Sequence, residues 1–388
     1  LAMGDIVWNA SSEYILIAIP MFVMLGEILL RSGIAHRVYA AIATWLSWLP
    51  GGLMHANIGT CAMFAATSGS SVATAATVGV VALPQVAIRR YDESLFLGTL
   101  AAGGTLGILI PPSINFILYG LLTQTSVPRL YLAGMIPGLL LTGFFMAIIL
   151  AYCLIWPAKG GTPVESSWRD RLGSLKDLVA PLFIFGVVVG SIYAGWATPT
   201  EAASMGVFAA LVLAAWERAL SWSMIKAVFE GTMRTTAMIM LIIIAAQFLN
   251  FVLANIGVTD GVAKAIEALG LGKVGTMLLL IVFYLILGCF METISMMILT
   301  TPFVFPIVIG LGWDPIWWGI VLTILIEAAL VTPPVGLNLY VVQSLRTGGA
   351  IADVIRGALP FVAAMLGLIL LLMAFPDIAL GLPRWVMG

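Results

Sequence analysis

The stretch GTLGILIPPSINFILYG, residues 104–120, is an apolar run broken at its centre by Pro111-Pro112. ILIEAALVTPPVGLNLYVV, residues 324–342, repeats the device at Pro333-Pro334. Proline lacks the amide hydrogen that would bond the carbonyl four residues back. Each doublet is therefore expected to free carbonyls inside an apolar helix: those of Gly107 and Ile108 in the first run, those of Ala329 and Leu330 in the second. The two runs read as proline-broken helices over about 93–122 and about 316–345.

Working outward, one offset of 222 residues pairs both doublets and also Pro84 with Pro306, Asp92 with Asp314, and Ser70-Ser71 with Glu292-Thr293. Matches along a single diagonal indicate a duplication, and carriers are commonly built from inverted copies whose broken helices meet at the bilayer midplane. Upstream of each doublet lies a segment with apolar flanks and a polar centre, TSGSS at 67–71 and METIS at 291–295. Neither flank reads as long enough to cross a membrane alone. Re-entrant helical hairpins are expected at about 58–88 and about 276–309.

Composition supplies the solvent. Hydrophobic residues make up 62% of the 388 and charged residues 9%, against about 25% charged in a soluble domain. Apolar runs near 13–30, 130–156, 178–197, 230–254, 276–290 and 357–375 approach or exceed the roughly 20 residues that cross a bilayer as a helix. Backbone groups in hydrocarbon need internal partners, and without strand-like alternation this means helices. The fold class expected is an all-α polytopic membrane protein of two inverted repeats, 1–156 and 178–388, joined by a polar linker at 157–177. No basic n-region precedes the first apolar run, so no signal peptide is expected.

Basic residues test this topology. With re-entrant hairpins, thirteen Lys and Arg fall on one side, among them Arg89, Arg90, Lys159 and Arg169, and four on the other: Arg129, Lys264, Lys273 and Arg384. The richer side is expected to be cytoplasmic, and the hairpins then enter from opposite faces.

Function classes are narrowed by what is missing. There is no GxxxxGK[ST] phosphate loop and no HExxH motif. Cys61, Cys153 and Cys289 lack the spacing of a zinc site or disulfide framework and are expected to be inert packing. No nucleophile or metal cluster suggests an enzyme, and a net charge of −1 offers nucleic acid no electrostatic footprint.

The oxygens near the breaks point to cations. Ser68, Ser70, Ser71, Thr105, Ser113 and Asn115 cluster in the first half, and Glu292, Thr293, Ser295, Thr332 and Asn338 in the second. Hard cations prefer such ligands, so two small cation sites are expected, with sodium as the ion. Helix N-termini made by the same breaks favour an anionic substrate such as a carboxylate. The plainer reading is that Pro and Gly kink these helices and that Ser and Thr bond back to their own turns. Glu327, inside an apolar run, is expected to be functional or paired, because a carboxylate there is costly. Glu27 and Arg31 read as an interfacial ion pair. His36 and His55 are not read as proton relays, and Trp45, Trp48, Trp317 and Trp318 read as interface anchors.

Four motifs resemble the large membrane subunit of the tripartite ATP-independent periplasmic transporters, the DctM-like family of the ion transporter superfamily. They are IPMFVMLGEILLRSG at 19–33, FAATSGSSVATAATVG at 64–79, GTLAAGGTLGILIPPSINFILYG at 98–120 and VTPPVGLNLYVV at 331–342. The resemblance runs along nearly the whole chain. It implies an elevator-type carrier with scaffold and transport domains in a bacterial inner membrane, driven by two or more sodium ions. It also implies a small four-helix membrane subunit and a periplasmic binding protein that delivers an organic acid. Mapped residue by residue, it assigns cation binding to Ser68, Gly69, Ser70, Ser71, Gly103, Thr105, Gly107, Ile108, Pro112, Glu292, Thr293, Ala329, Thr332, Pro333 and Gly336. Substrate binding falls to Ser71, Thr74, Ser113, Asn115, Ser295, Pro334 and Asn338. Members usually carry a further span before Ile15, which is expected to be missing here. A stand-alone sodium/dicarboxylate symporter of the same superfamily is the alternative.

Overall fold

The computed structural model describes residues 2–164 and 166–388, with the side chains of 2, 3, 6, 10, 66–68, 259, 260, 263 and 267 left aside. Among the described residues the chain is helical throughout, and its one β-bridge, Tyr91 to Gly160, stands alone. Among the described residues seven helices are long and apolar enough to cross a membrane, or eight if the pair Glu93–Leu109 and Ile114–Thr123, bent by 45° at the proline doublet, is counted as one span. The chain is a multi-pass, all-α membrane protein.

Burial sorts these helices into two kinds. Glu93–Leu109 is buried from Leu95 onward and Pro315–Leu330 from Trp317 onward, as expected of helices that are apolar all round and form a core. In the most apolar window of Trp222–Asn255, by contrast, only 17% of residues are buried. At about 1.5 Å per residue this helix is about 51 Å long and offers most of its surface to lipid or a partner. Ala18–Arg31 lies against it, against Pro199–Trp216 and against the first hairpin arm.

Hairpin one comprises Gly52–Ser68 and Ser71–Ala82, and hairpin two Gly272–Leu287 and Thr293–Gly310. The first arm begins six residues earlier than the reading from sequence placed it. The expectation that no arm can cross alone is corrected for Thr293–Gly310, whose 18 apolar residues suffice by length. Both arms of hairpin two rest on Pro315–Leu330.

The halves interlock. Leu337–Ser344, which follows the second break, packs on the second arm of hairpin one, and Ile114–Thr123, which follows the first break, packs on the second arm of hairpin two. Glycine makes another junction possible: Gly98 and Gly357 meet backbone to backbone, with Ser94 beside them, so that Glu93–Leu109 and Ile351–Ala374 touch without side chains between them.

Trp317 and Trp318, expected as interface anchors, are instead fully buried. Trp317 stacks on Trp313 at 4.0 Å and donates its Nε1 hydrogen to the Leu372 carbonyl. Its polar edge is satisfied by protein, so it needs no headgroup water. Trp48 is exposed, as an anchor would be.

The linker is more ordered than its composition suggests. Ser167 and Asp170 form a capping box for Trp168–Ser174. Upstream, the Asp92 amide donates to the Lys159 carbonyl and the Thr162 amide to the Arg89 carbonyl, while Ser47 Oγ donates to the Val164 carbonyl and Ser166 Oγ to the Thr44 carbonyl. Hydrogen bonds to Tyr152 and Asp92 hold the exposed Lys159 ammonium above its ordinary pKa.

Candidate functional site

The tip of hairpin one is made by a change of backbone conformation. Gly69 ends the first arm in the left-handed region at φ 60°, where glycine carries no Cβ penalty. Ser70 is then extended, and its Oγ caps the second arm by accepting from the Ala73 amide at 3.4 Å. The tip sits directly on the first break. A Cβ on Gly107 would stand 2.9 Å from the Ser70 carbonyl oxygen and 3.0 Å from Thr74 Oγ1, and one on Gly69 would stand 3.4 Å from the Pro112 carbonyl oxygen. The structure thus brings Gly69, Ser70, Thr74, Gly107 and Pro112 together, and the peptide bond Pro111-Pro112 is cis, as is Pro333-Pro334.

The other expected members of this group are placed differently. Gly103 faces Cys61 on the first hairpin arm. Thr105 turns its hydroxyl back to the Ala102 carbonyl at 2.6 Å, which is the plainer reading of a helical threonine. Ser113 Oγ and Asn115 Nδ2 are buried without a hydrogen-bond partner among the described residues. The Ser68 side chain lies outside the described residues.

At the tip of hairpin two, Glu292 is the extended residue, and its Oε2 accepts from the amides of Ile294 at 3.0 Å and Ser295 at 3.2 Å. Ser295 enters the site through that amide. Gly288 lets the hairpin turn press on Ala329, and the Cys289 thiol lies between two carbonyls that can accept its one hydrogen, Leu285 at 3.3 Å and Pro333 at 3.4 Å. The expected free carbonyl of Ala329 is corrected: it accepts the Thr332 amide at 3.2 Å in a tightened last turn. Thr332 Oγ1 bonds to the Ala328 carbonyl. Leu330 O and Thr332 O instead converge on Gly336, each 3.0 Å from where its Cβ would be, with Gly336 at φ 49°. Pro334 is exposed, and Asn338 leaves the break to donate to the Ala101 carbonyl of the first broken helix at 3.2 Å.

The two tips face one cavity of about 460 Å³. Gly69, Ser70, Ser71, Ile108 and Asn115 line it from the first half, Glu292 and Thr293 from the second. Sequence reasoning missed further lining residues: Glu27 on Ala18–Arg31, Thr235 and Met238 on Trp222–Asn255, and Val341 on Leu337–Ser344. Glu27 carries the ion pair read from the sequence, to Arg31 at 2.9 Å; that it also faces the cavity had no signal beyond a carboxylate in an apolar helix. No Lys or Arg is among the described lining residues, whereas two carboxylates are. Such a wall suits cations bound through oxygen, while the N-termini of Ser71–Ala82, Thr293–Gly310 and Ile114–Thr123 supply positive potential for an anion.

One buried carboxylate adjoins this wall. Glu327, 1% exposed, accepts from Ser71 Oγ, which lies 2.7 Å from both of its oxygens.

Comparison with known proteins agrees with this architecture. The family described as "Tripartite ATP-independent periplasmic transporter, DctM component" matches residues 1–378. The C4-dicarboxylate TRAP transporter large permease protein DctM of Pseudomonas aeruginosa is 35% identical over 98% of this chain and 88% of its own length. The isethionate TRAP transporter permease protein DctMQ of Oleidesulfovibrio alaskensis is 32% identical over 97% of this chain and 59% of its own. The crystal structure of the Alcanivorax borkumensis YdaH transporter shares the fold, with a TM-score of 0.61 at 16% identity over 94% of this chain and 88% of that one. The chain, a transporter permease by these relationships, belongs to the DctM component family of the tripartite ATP-independent periplasmic transporters.

Proposed function

We propose that this chain is the carrier of a sodium-coupled system that takes up an organic acid across a bacterial inner membrane. In this reading a periplasmic binding protein delivers the substrate, and a small four-helix membrane subunit sits beside the carrier. The observation that carries the proposal is the cavity on which both hairpin tips converge. Its carboxylates and convergent carbonyls suit sodium, and its helix N-termini suit a carboxylate. Relatives named for C4-dicarboxylate and isethionate handle anions, and the name DctMQ joins an M with a Q component.

Alternating access follows an elevator scheme in this reading. Hairpins and broken helices move as the transport domain, and Ala18–Arg31 with Trp222–Asn255 belongs to the wall against which they move. Two features support a duplicated, inverted core: caps recur at the 222-residue offset, Ser70 with Glu292 and Asp92 with Asp314, and the packing of each post-break helix on the other half's hairpin is reciprocal. The Leu330 and Thr332 carbonyls, near Gly336, would contribute to one sodium site, and the Ser70 carbonyl, near Gly107, to another in exchange for the Thr74 hydroxyl it accepts in this structure.

The test is uptake into proteoliposomes holding this chain and its small subunit, with binding protein and candidate acids outside. The expected result is uptake that needs both an inward sodium gradient and the binding protein. Uptake without the binding protein would replace this reading with a stand-alone symporter, and uptake indifferent to sodium would remove the coupling ion.

A further inference from the structure

Ser71 is the first residue of the second arm of hairpin one, and Glu327 lies near the end of Pro315–Leu330 in the other half. Their contact spans 256 positions of sequence. Ser71 lines the cavity, whereas Glu327 is not among the described lining residues. Glu327 also takes part in none of the ion pairs found among the described residues. Among the described residues this carboxylate has no basic partner, and it reaches the cavity lining through Ser71.

A serine hydroxyl has one hydrogen and two acceptor lone pairs. With Ser71 Oγ 2.7 Å from both Glu327 oxygens, the hydrogen is committed to the carboxylate. The lone pairs are then turned toward the hairpin tip. Were the hydrogen free to rotate into the cavity, Ser71 would be a donor suited to an anion. We infer that Glu327 is a positioning residue that makes Ser71 an acceptor, and so sets the tip of hairpin one to bind a cation in preference to the acid substrate. This inference rests on the sodium reading proposed above.

The experiment follows the thermal unfolding midpoint of the purified protein as sodium chloride replaces choline chloride at constant ionic strength. Wild type, Glu327→Gln, Ser71→Ala and the double variant are compared. Gln is close to Glu in shape, but its amide can donate to Ser71 Oγ and release the hydroxyl hydrogen to the cavity. The half-saturating sodium concentration is expected to rise roughly tenfold in either single variant, on the scale of one charge-assisted hydrogen bond. The double variant should be no worse than Ser71→Ala, because Glu327 acts through Ser71. A merely structural role would lower the midpoint in choline and leave the half-saturating concentration unchanged, overturning the inference. So would a double variant whose loss is the product of the two single ones. If Glu327→Gln does not fold, Ser71→Ala decides alone: an unchanged sodium response overturns the inference. A wild-type midpoint insensitive to sodium would show that the sodium reading itself had failed and the inference with it, an outcome distinct from all the others.

Discussion

Ser70 and Glu292, 222 residues apart, occupy the same place in their hairpins: each is the extended residue that caps the arm leaving the tip. Ser70 does so with one hydroxyl contact at 3.4 Å, and Glu292 with a carboxylate oxygen that holds two amides. The same geometrical task is done once by a neutral group and once by a charged one. Glu292→Ala should therefore lose about 0.5–2 kcal/mol of stability through the missing cap and also weaken sodium dependence. Glu292→Ser, which copies the first hairpin, should recover the thermal stability but not the sodium dependence. Unfolding midpoints and sodium titrations of uptake separate the two effects, and full recovery of both by serine would show that the charge at this tip does not matter.

Close approach of hairpin one to the first break depends on Gly107. Its alanine variant places a methyl group 2.9 Å from the Ser70 carbonyl oxygen, closer than carbon and oxygen tolerate, so the tip must retreat. Uptake by Gly107→Ala is expected to fall at least tenfold while membrane insertion and yield hold. Gly143→Ala, where a Cβ meets nothing within 4 Å, is the control expected to transport normally. Equal uptake by both variants would contradict the proposed seating of the tip.

Gly357 makes a comparable junction away from the cavity. Alanine there drives its Cβ into the Ser94 backbone, and forced overpacking costs about 1–3 kcal/mol. The expected outcome is a lower unfolding midpoint for Gly357→Ala with an unaltered half-saturating sodium concentration in the protein that remains folded.

Tyr91 carries a further prediction. Its hydroxyl accepts the Leu53 amide at 2.9 Å where the first hairpin arm begins. Tyr91→Phe leaves that buried donor unpaired, at a cost of about 1–3 kcal/mol. Hydrogen exchange at the start of Gly52–Ser68 should quicken, and an unchanged exchange rate would show that another group takes over the amide.

Local chemistry was legible in the sequence wherever a residue's effect stays within its own turn. The proline doublets broke their helices where expected, and Asp92 and Asp314 cap the helices that follow them. What could not be read depends on elements brought together by packing. Glu27 joined the cavity because Ala18–Arg31 packs against the first arm of hairpin one, and nothing near residue 27 announces that packing. Trp317 and Trp318 looked like anchors because tryptophan at a helix start favours membrane surfaces, yet tertiary packing swallowed both, Trp317 against Ile351–Ala374 and Trp318 beside Tyr284 of Gly272–Leu287. Ala329 lost its free carbonyl to Thr332, since a helix end can tighten by one residue and reuse the acceptor that proline had released.

The linker has a mechanical consequence. It is stitched by its backbone to the Arg89–Asp92 turn at Lys159 and Thr162, and to the Thr44–Ser47 end of its neighbouring helix by the Val164 carbonyl and the Ser166 hydroxyl. Only Pro163 separates Thr162 from Val164, and two steps of extended chain span about 7 Å at most. The base of hairpin one is thus on a short leash, and a stroke longer than that leash must unpick one row of stitches before it can begin.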